Sequence, residues 1–372
     1  MKNIIGLLNL YDSPELGPLT ENRTLASTSF LGRFAIMDFA LSNFTNSGID
    51  DFSILVKNNF RSVTKHVHTM KAWVSNTKIG KQYLLINSSG IKDEKLNNDI
   101  NNIKTNDWIF YESDAQYVVV QPAHIISQIN FRKVVKEHIA SGADVTMVYT
   151  KISNGKTTFK KHLIPELDEN ERVTALFTNK GEASRINVSL DTYVISREVL
   201  RKIVYARGNN RATSLRQALI KGVNDLSLNV HGYYHDGLVR CFDSFKAFCD
   251  ISFDLLNYEN ASQIFDSGWI EYTNTHNTPP AKYGKNANVK NTYVANGAVI
   301  DGTVENSIVS RNVIIEKGAV VKNSIILTGT KVSECAIIEN AVIDKWANIS
   351  SGAIVKAPKS RPTYVRQGKV VK

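Results

Sequence analysis

With 372 residues, 42% of them hydrophobic and 22% charged, the chain is long enough for two domains, each with its own core, and has the composition of an ordinary soluble globular protein. No run approaches the length of a membrane span, and the amino terminus lacks a basic segment followed by an apolar signal core, which argues against a membrane role and leads us to expect a cytoplasmic protein. Cys241, Cys249 and Cys335 have no metal-like spacing and read as reduced thiols, and the net charge of +10 directs attention to anionic partners.

The chain opens on an apolar strand, Asn3–Leu8, followed by a loop over residues 9–30. This loop carries Asp12 and Glu15, with no Lys or Arg between Lys2 and Arg23, so it lacks the charge that would steady a triphosphate. Arg33 to Gly48 reads as a helix. Phe34, Met37, Leu41 and Phe44 recur at three- and four-residue steps and share one face, and Gly48 is the stop. Ser53–Val56 is then a short apolar strand. Strand, loop, helix and strand in that order predict the start of a Rossmann-like α/β domain.

Residues 57–108 are polar, with a helix predicted at 60–67 and both His66 and His68 expected at the surface. Tyr117-Val118-Val119-Val120 has the pattern of a buried parallel strand. Beyond it lies Gln121-Pro122-Ala123-His124, where a doubly wound sheet places its site, and His124 is expected to be structural. Asn130 caps a predicted helix over Phe131–Ala140, whose buried face is Phe131, Val134, Val135 and Ile139. Gly142 ends it, Asp144–Tyr149 is the next strand, and Thr213–Lys221 is a further helix.

The first helix contains Phe34, Asp38-Phe39, Leu41-Ser42-Asn43 and Asn46-Ser47-Gly48-Ile49. This wording resembles the ADP-glucose pyrophosphorylase family, the glucose-1-phosphate adenylyltransferases of glycogen and starch synthesis, and the likeness of layout extends over nearly the whole chain. The resemblance implies a domain that joins ATP to glucose 1-phosphate. Its first loop would carry paired glycines, an Arg and a Lys, and two Asp residues would hold Mg²⁺. Against that pattern Leu19-Thr20 and Arg23 match, the paired glycines are gone, and the expected Lys falls at Leu25. The first metal Asp falls at Ala123. The second falls at Cys241 counted back from Phe253-Asp254-Leu255, or at Asp236 counted forward from Gly232. Under either count the two-carboxylate magnesium site is incomplete.

The lysine that holds the sugar phosphate in that family corresponds to Lys180, in Phe177-Thr178-Asn179-Lys180. A surface lysine in a turn explains Lys180 about as well. In Ser189-Leu190-Asp191-Thr192-Tyr193-Val194, Ser189 and Tyr193 match and Asp191 stands where the family has Gly. Lys180, Ser189, Arg23 and Arg33 are the candidate ligands for a sugar phosphate or an effector.

From about residue 285 aliphatic residues recur at six-residue steps: Val294 and Ile300; Val309, Ile315, Val321 and Leu327; Val332 and Ile338; Ile343, Ile349 and Val355. Steps of four or five residues join these runs, and turn-forming residues such as Glu316-Lys317-Gly318-Ala319 lie between. One inward aliphatic per six residues predicts a parallel β-helix, three steps to a turn; the resemblance implies a left-handed one. The expected domains are 1–244, a helix and linker over 245–284, and the β-helix over 285–372. Residues 281–372 hold fourteen Lys and Arg against six Asp and Glu. They show no nucleic-acid motif. Hexapeptide acyltransferases commonly use a histidine on this domain, and none of the eight histidines follows His276.

A family scaffold with emptied catalytic positions predicts a noncatalytic or weakly active regulatory subunit of the GlgD type. It would pair with a catalytic ADP-glucose pyrophosphorylase subunit in a heterotetramer and respond to a phosphorylated effector. Mg²⁺ and ATP would be used by that partner, and no cofactor is expected in this chain. Two other readings stay open. One is an active sugar-nucleotidyltransferase with an atypical phosphate loop, its metal served by Asp38, His124 or Asp236. The other is a sugar-phosphate-sensing scaffold that uses Lys180 and the basic second domain. No nucleic-acid or membrane partner is expected.

Overall fold

The computed structural model describes residues 3–76, 80–88, 90, 93–208 and 211–372, which form two compact units. Unit one comprises residues 1–14, 37–243 and 270–272. Its core is a seven-stranded sheet of β1 (Ile4–Asn9), β2 (Phe52–Val56), β3 (Gln82–Ile86), β4 (Tyr117–Pro122), β5 (Val145–Ile152), β6 (Ile186–Ser196) and β7 (Val230–Tyr234). The strand order is β7-β5-β6-β4-β1-β2-β3. β1 runs parallel to β2 and β4, β2 to β3 and β5 to β7, whereas β6 is antiparallel to both its neighbours. The chain leaves β1 toward β2 on one side and returns to β4 on the other. The carboxyl ends of β1 and β4 therefore flank the topological switch point, where such sheets hold their ligands.

Burial explains the strands. All six residues of β1 are buried, and they alternate between two helical layers. Ile5 and Leu7 join a cluster with Ile100, Val199, Leu200 and Leu219 from helices on one face. Gly6 faces the other layer, where a Cβ would come within 3.0 Å of the Phe44 ring. Phe44 packs on Phe52 and Phe131, at centroid distances of 5.9 and 5.7 Å.

Three sequence expectations need correction in unit one. The first helix spans Ile36–Asn46, with Met37, Leu41 and Phe44 fully buried, but Phe34 lies outside it. Leu31 and Gly32 turn the chain with positive φ, so Phe34–Ala35 pairs back on Ser29–Phe30 as a short hairpin. The helix Phe131–Ser141 buries Phe131, Val134, Val135 and His138, while Ile139 is 55% exposed. His138 takes that place because Thr146 Oγ1 lies 2.9 Å from its Nδ1. His66, on the helix Phe60–Val67, is half-buried, its Nε2 2.6 Å from Oδ1 of the fully buried Asp38.

Unit two comprises residues 15–36, 244–269 and 273–372, so it does not follow the contiguous boundaries drawn from sequence. Residues 15–36 belong to it for physical reasons. Phe34 stacks on Phe265 at 5.6 Å, Phe30 meets Phe248 at 6.5 Å, and the buried Arg23 forms a bidentate pair with Asp344 at 2.8 and 2.5 Å. The helices Phe245–Asp254 and Tyr258–Phe265 supply those aromatic partners.

The rest of unit two is a parallel β-helix. Val304 stacks on Val321, Val321 on Ile338 and Ile338 on Val355, each 17 residues along. Ile300, Ile315, Val332 and Ile349 stack on a second sheet, and Val309, Ile326, Ile343 and Val365 continue a third row. The predicted inward residue Leu327 is displaced by its neighbour Ile326, because Val321 to Ile326 is one of the five-residue steps. Asn291, Asn306, Asn323 and Asn340 turn one corner, all at positive φ. Among the described residues no helix is long and apolar enough to cross a membrane.

Candidate functional site

At the switch point of unit one, three buried side chains converge. His124 follows β4. Cys241 ends the strand Val239–Cys241, which pairs antiparallel with Ile125–Ser127 so that Cys241 lies opposite Ile125; Phe242 N donates to His124 O at 2.9 Å. The third is His162, immediately before the strand Leu163–Leu167. Asn179 fixes its backbone: Asn179 N donates to His162 O at 2.8 Å, and Lys161 N donates to Asn179 O at 2.9 Å. One ligand atom from each of His124, His162 and Cys241 lies within 4.8 Å of the others. His162 Nε2 is 3.5 Å from Cys241 Sγ.

Asp191 orders this group. It sits at a β-bulge in β6 with φ +48°, a left-handed backbone that glycine adopts most readily. Its Oδ2 lies 3.0 Å from His162 Nδ1, and its Oδ1 accepts from the Tyr193 hydroxyl at 3.1 Å. Burial works against the Asp191 carboxylate, but the neighbouring His162 outweighs that and holds its pKa well below the usual carboxylate range. Burial, with His162 adding to it, holds the His124 pKa down at about 3, so its imidazole is neutral. Burial likewise raises the Cys241 thiol well above its ordinary value.

The predicted site residues are scattered. Ala123 is buried beside His124, and Cys241 lies in the cluster. Asp236 is exposed. Ser189 is buried, and its Oγ accepts from Asp191 N at 3.0 Å. Lys180 is exposed on the turn after Asn179. In unit two, Arg23 is engaged with Asp344, and its Nη2 also donates to Gln367 Oε1 at 3.1 Å. Leu25, at the position of the expected Lys, is buried. Arg33 is exposed over the Phe34 ring and lines a cavity of about 380 Å³ with Arg311, His276, Tyr293 and Asn296. His162 and the carboxylate of Asp191 were not legible as a pair: 29 residues separate them, and only Asp191 in a glycine position gave a signal.

Magnesium is a hard cation that takes oxygen ligands in octahedral geometry. A methyl group at Ala123 and a thiol at Cys241, with imidazoles between, do not fit it.

Comparison with known proteins gives a consistent family. The family model for nucleotidyl transferases matches residues 14–233, and that for the GlmU-like C-terminal hexapeptide matches residues 279–361. The chain is 31% identical over 358 residues to glycogen biosynthesis protein GlgD of Geobacillus stearothermophilus, covering 95% of this chain and 93% of that protein. It is 28% identical to glycogen biosynthesis protein GlgD of Bacillus subtilis, over 82% of this chain and 78% of that one. Glucose-1-phosphate adenylyltransferase of Fusobacterium nucleatum is 25% identical over 82% of this chain and 80% of its own.

Proposed function

The chain belongs to the GlgD family of glycogen biosynthesis proteins, within the nucleotidyltransferases, and from that premise we propose that it is a regulatory subunit rather than a catalytic one. One observation carries the reading. At the carboxyl end of β4 and on the strand paired beyond it, the side chains are the methyl of Ala123 and the buried thiol of Cys241. Neither supplies the oxygen ligands that would hold magnesium against the phosphates of a nucleotide and stabilise the charge of the transferring group.

The subunit acts by pairing with a catalytic glucose-1-phosphate adenylyltransferase chain in a heterotetramer and altering that chain's activity or effector response. Mg²⁺ and ATP are used by the partner. Arg33 and Arg311, on one cavity of unit two, suit a phosphorylated effector, because guanidinium groups pair bidentately with phosphate. The test is an assay of pyrophosphate release from ATP and glucose 1-phosphate. The expected result is no release above background from this chain alone and a changed rate or effector response on adding it to the catalytic chain. Vigorous release by this chain alone overturns the proposal, as does a mixture that behaves as the catalytic chain does by itself.

A further inference from the structure

We propose that His124, His162 and Cys241 form a binding site for one zinc-class transition-metal ion, with Asp191 as its outer carboxylate. This stands apart from the regulatory reading, since it concerns what the switch point holds in this chain and not what a partner does.

The donor set is that of a soft or borderline ion: two imidazoles and a thiol. The spacing agrees. Metal–sulfur and metal–nitrogen bonds of about 2.3 and 2.0–2.1 Å at a tetrahedral angle place the two ligand atoms about 3.6 Å apart. His162 Nε2 and Cys241 Sγ stand 3.5 Å apart. The third ligand lies within 4.8 Å of both, close enough for a rotation of the His124 ring to complete the face.

Two further features are those of a built site. His124 Nδ1 is buried with no hydrogen-bond partner, a costly arrangement for a polar atom inside a protein unless something fills it. His162 Nδ1, its other nitrogen, lies 3.0 Å from Asp191 Oδ2 but off the line of a hydrogen bond, so a small ring rotation brings the two into register. A carboxylate behind a ligating histidine fixes its tautomer and raises its basicity. Asp191 is itself held by Tyr193 and by the Ser189 hydroxyl. On binding, the metal–sulfur bond forms as the Cys241 S–H bond breaks, and one proton leaves to solvent. Three protein ligands leave a fourth position for water or a small ligand. The ion would tie β4, the bulge of β6 and the Val239–Cys241 strand together.

The test uses the full chain carrying Cys335→Ser, which removes the exposed thiol. After dialysis against a chelator it is titrated with Co²⁺, then with Zn²⁺. We expect one Co²⁺ per chain with visible bands of a tetrahedral ion and a thiolate-to-cobalt charge-transfer band, displaced by Zn²⁺. Zn²⁺ should also raise the melting temperature. Cys241→Ser should abolish the charge-transfer band, His124→Ala should weaken Co²⁺ binding at least tenfold, and Asp191→Asn should weaken it about 10- to 100-fold. No thiolate band in the Cys335→Ser chain makes the three side chains a packed polar cluster and nothing more. A band that persists unchanged in Cys241→Ser places the ion elsewhere. Either result overturns the proposal, and the first does so even if the variants fail to fold.

Discussion

The two units reach their cores by opposite routes. In the β-helix each turn repeats the last, so Val304, Val321, Ile338 and Val355 do the same work 17 residues apart. In the sheet unit nothing repeats. Its site draws His124 from the end of β4, His162 from before a hairpin, Asp191 from a bulge and Cys241 from a short edge strand. A periodic core can be read from one chain because local spacing determines neighbours. A convergent site cannot, because the spacing of its members along the chain says nothing of their spacing in space.

The largest expected effect breaks the periodic side of that contrast. Val321 has no exposed surface and is stacked between Val304 and Ile338. Val321→Asp buries an unpaired carboxylate in a core with no polar partner and should cost more than about 4 kcal/mol, enough to unfold the stack. Limited proteolysis should then cut within residues 285–372. A protected stack with an unchanged melting temperature would show that the turns are not coupled.

Arg23→Ala comes next. Arg23 and Asp344 are both buried, and Asp344 also accepts from the Tyr364 hydroxyl at 2.5 Å. Removing the guanidinium leaves a buried charge uncompensated, at a cost of about 3–5 kcal/mol. Replacing both partners by Leu should recover much of the loss, measured by denaturant unfolding. If the single and double variants are equally unstable, the pair is not what ties residues 15–36 into unit two.

These two substitutions also mark what the sequence could and could not disclose. The inward row of the β-helix was legible almost throughout, and failed only where a five-residue step put Ile326 in the place expected of Leu327. The doubly wound unit was legible from β1, the first helix and β4. Boundaries were not, since Arg23 reaches a partner 321 residues away. The sequence drew attention to Ala123 and Cys241, but not to the convergence of His124, His162 and Cys241. His162 shows no periodicity of its own, and His138 looked like any polar residue on a helix until Thr146 proved to face it.

The pH dependence of the sheet unit sharpens the contrast further. Asp99 is 1% exposed and takes hydrogen bonds from Asn9 Nδ2 and the backbone N–H of Leu215. Burial, with the nearby charge of Asp12, raises its pKa to about 7. In the unfolded chain it titrates near its ordinary value of 3.8. Between those values the unfolded state gives up a proton that the folded state keeps, so Asp99 destabilises the fold progressively as pH rises from about 4 to 7. At about 1.4 kcal/mol per pKa unit, the effect is a few kcal/mol at most. Asp99→Asn does not titrate. The stability of the wild type minus that of Asp99→Asn should therefore fall across this window and level off above it. A difference that stays flat from pH 4 to 8 would place the Asp99 pKa close to its unfolded value.

The smallest effect compares one backbone conformation in two settings. Asn323 in the β-helix and Asp191 in the sheet unit both have positive φ, +46° and +48°. At Asn323 the left-handed corner is the main requirement, so Asn323→Ala should cost about 1 kcal/mol and Asn323→Gly little. Asn306, one turn earlier in the same corner, should respond within a few tenths of a kcal/mol of the same amount, because stacked turns are near-equivalent. At Asp191 glycine satisfies the backbone equally well but removes the carboxylate that faces His162 Nδ1 at 3.0 Å. Asp191→Gly should therefore be clearly destabilising where Asn323→Gly is not, in thermal unfolding of the same full chain. If both glycine variants unfold with the wild type, Asp191 is held in place by its backbone alone and does not order the histidine beside it.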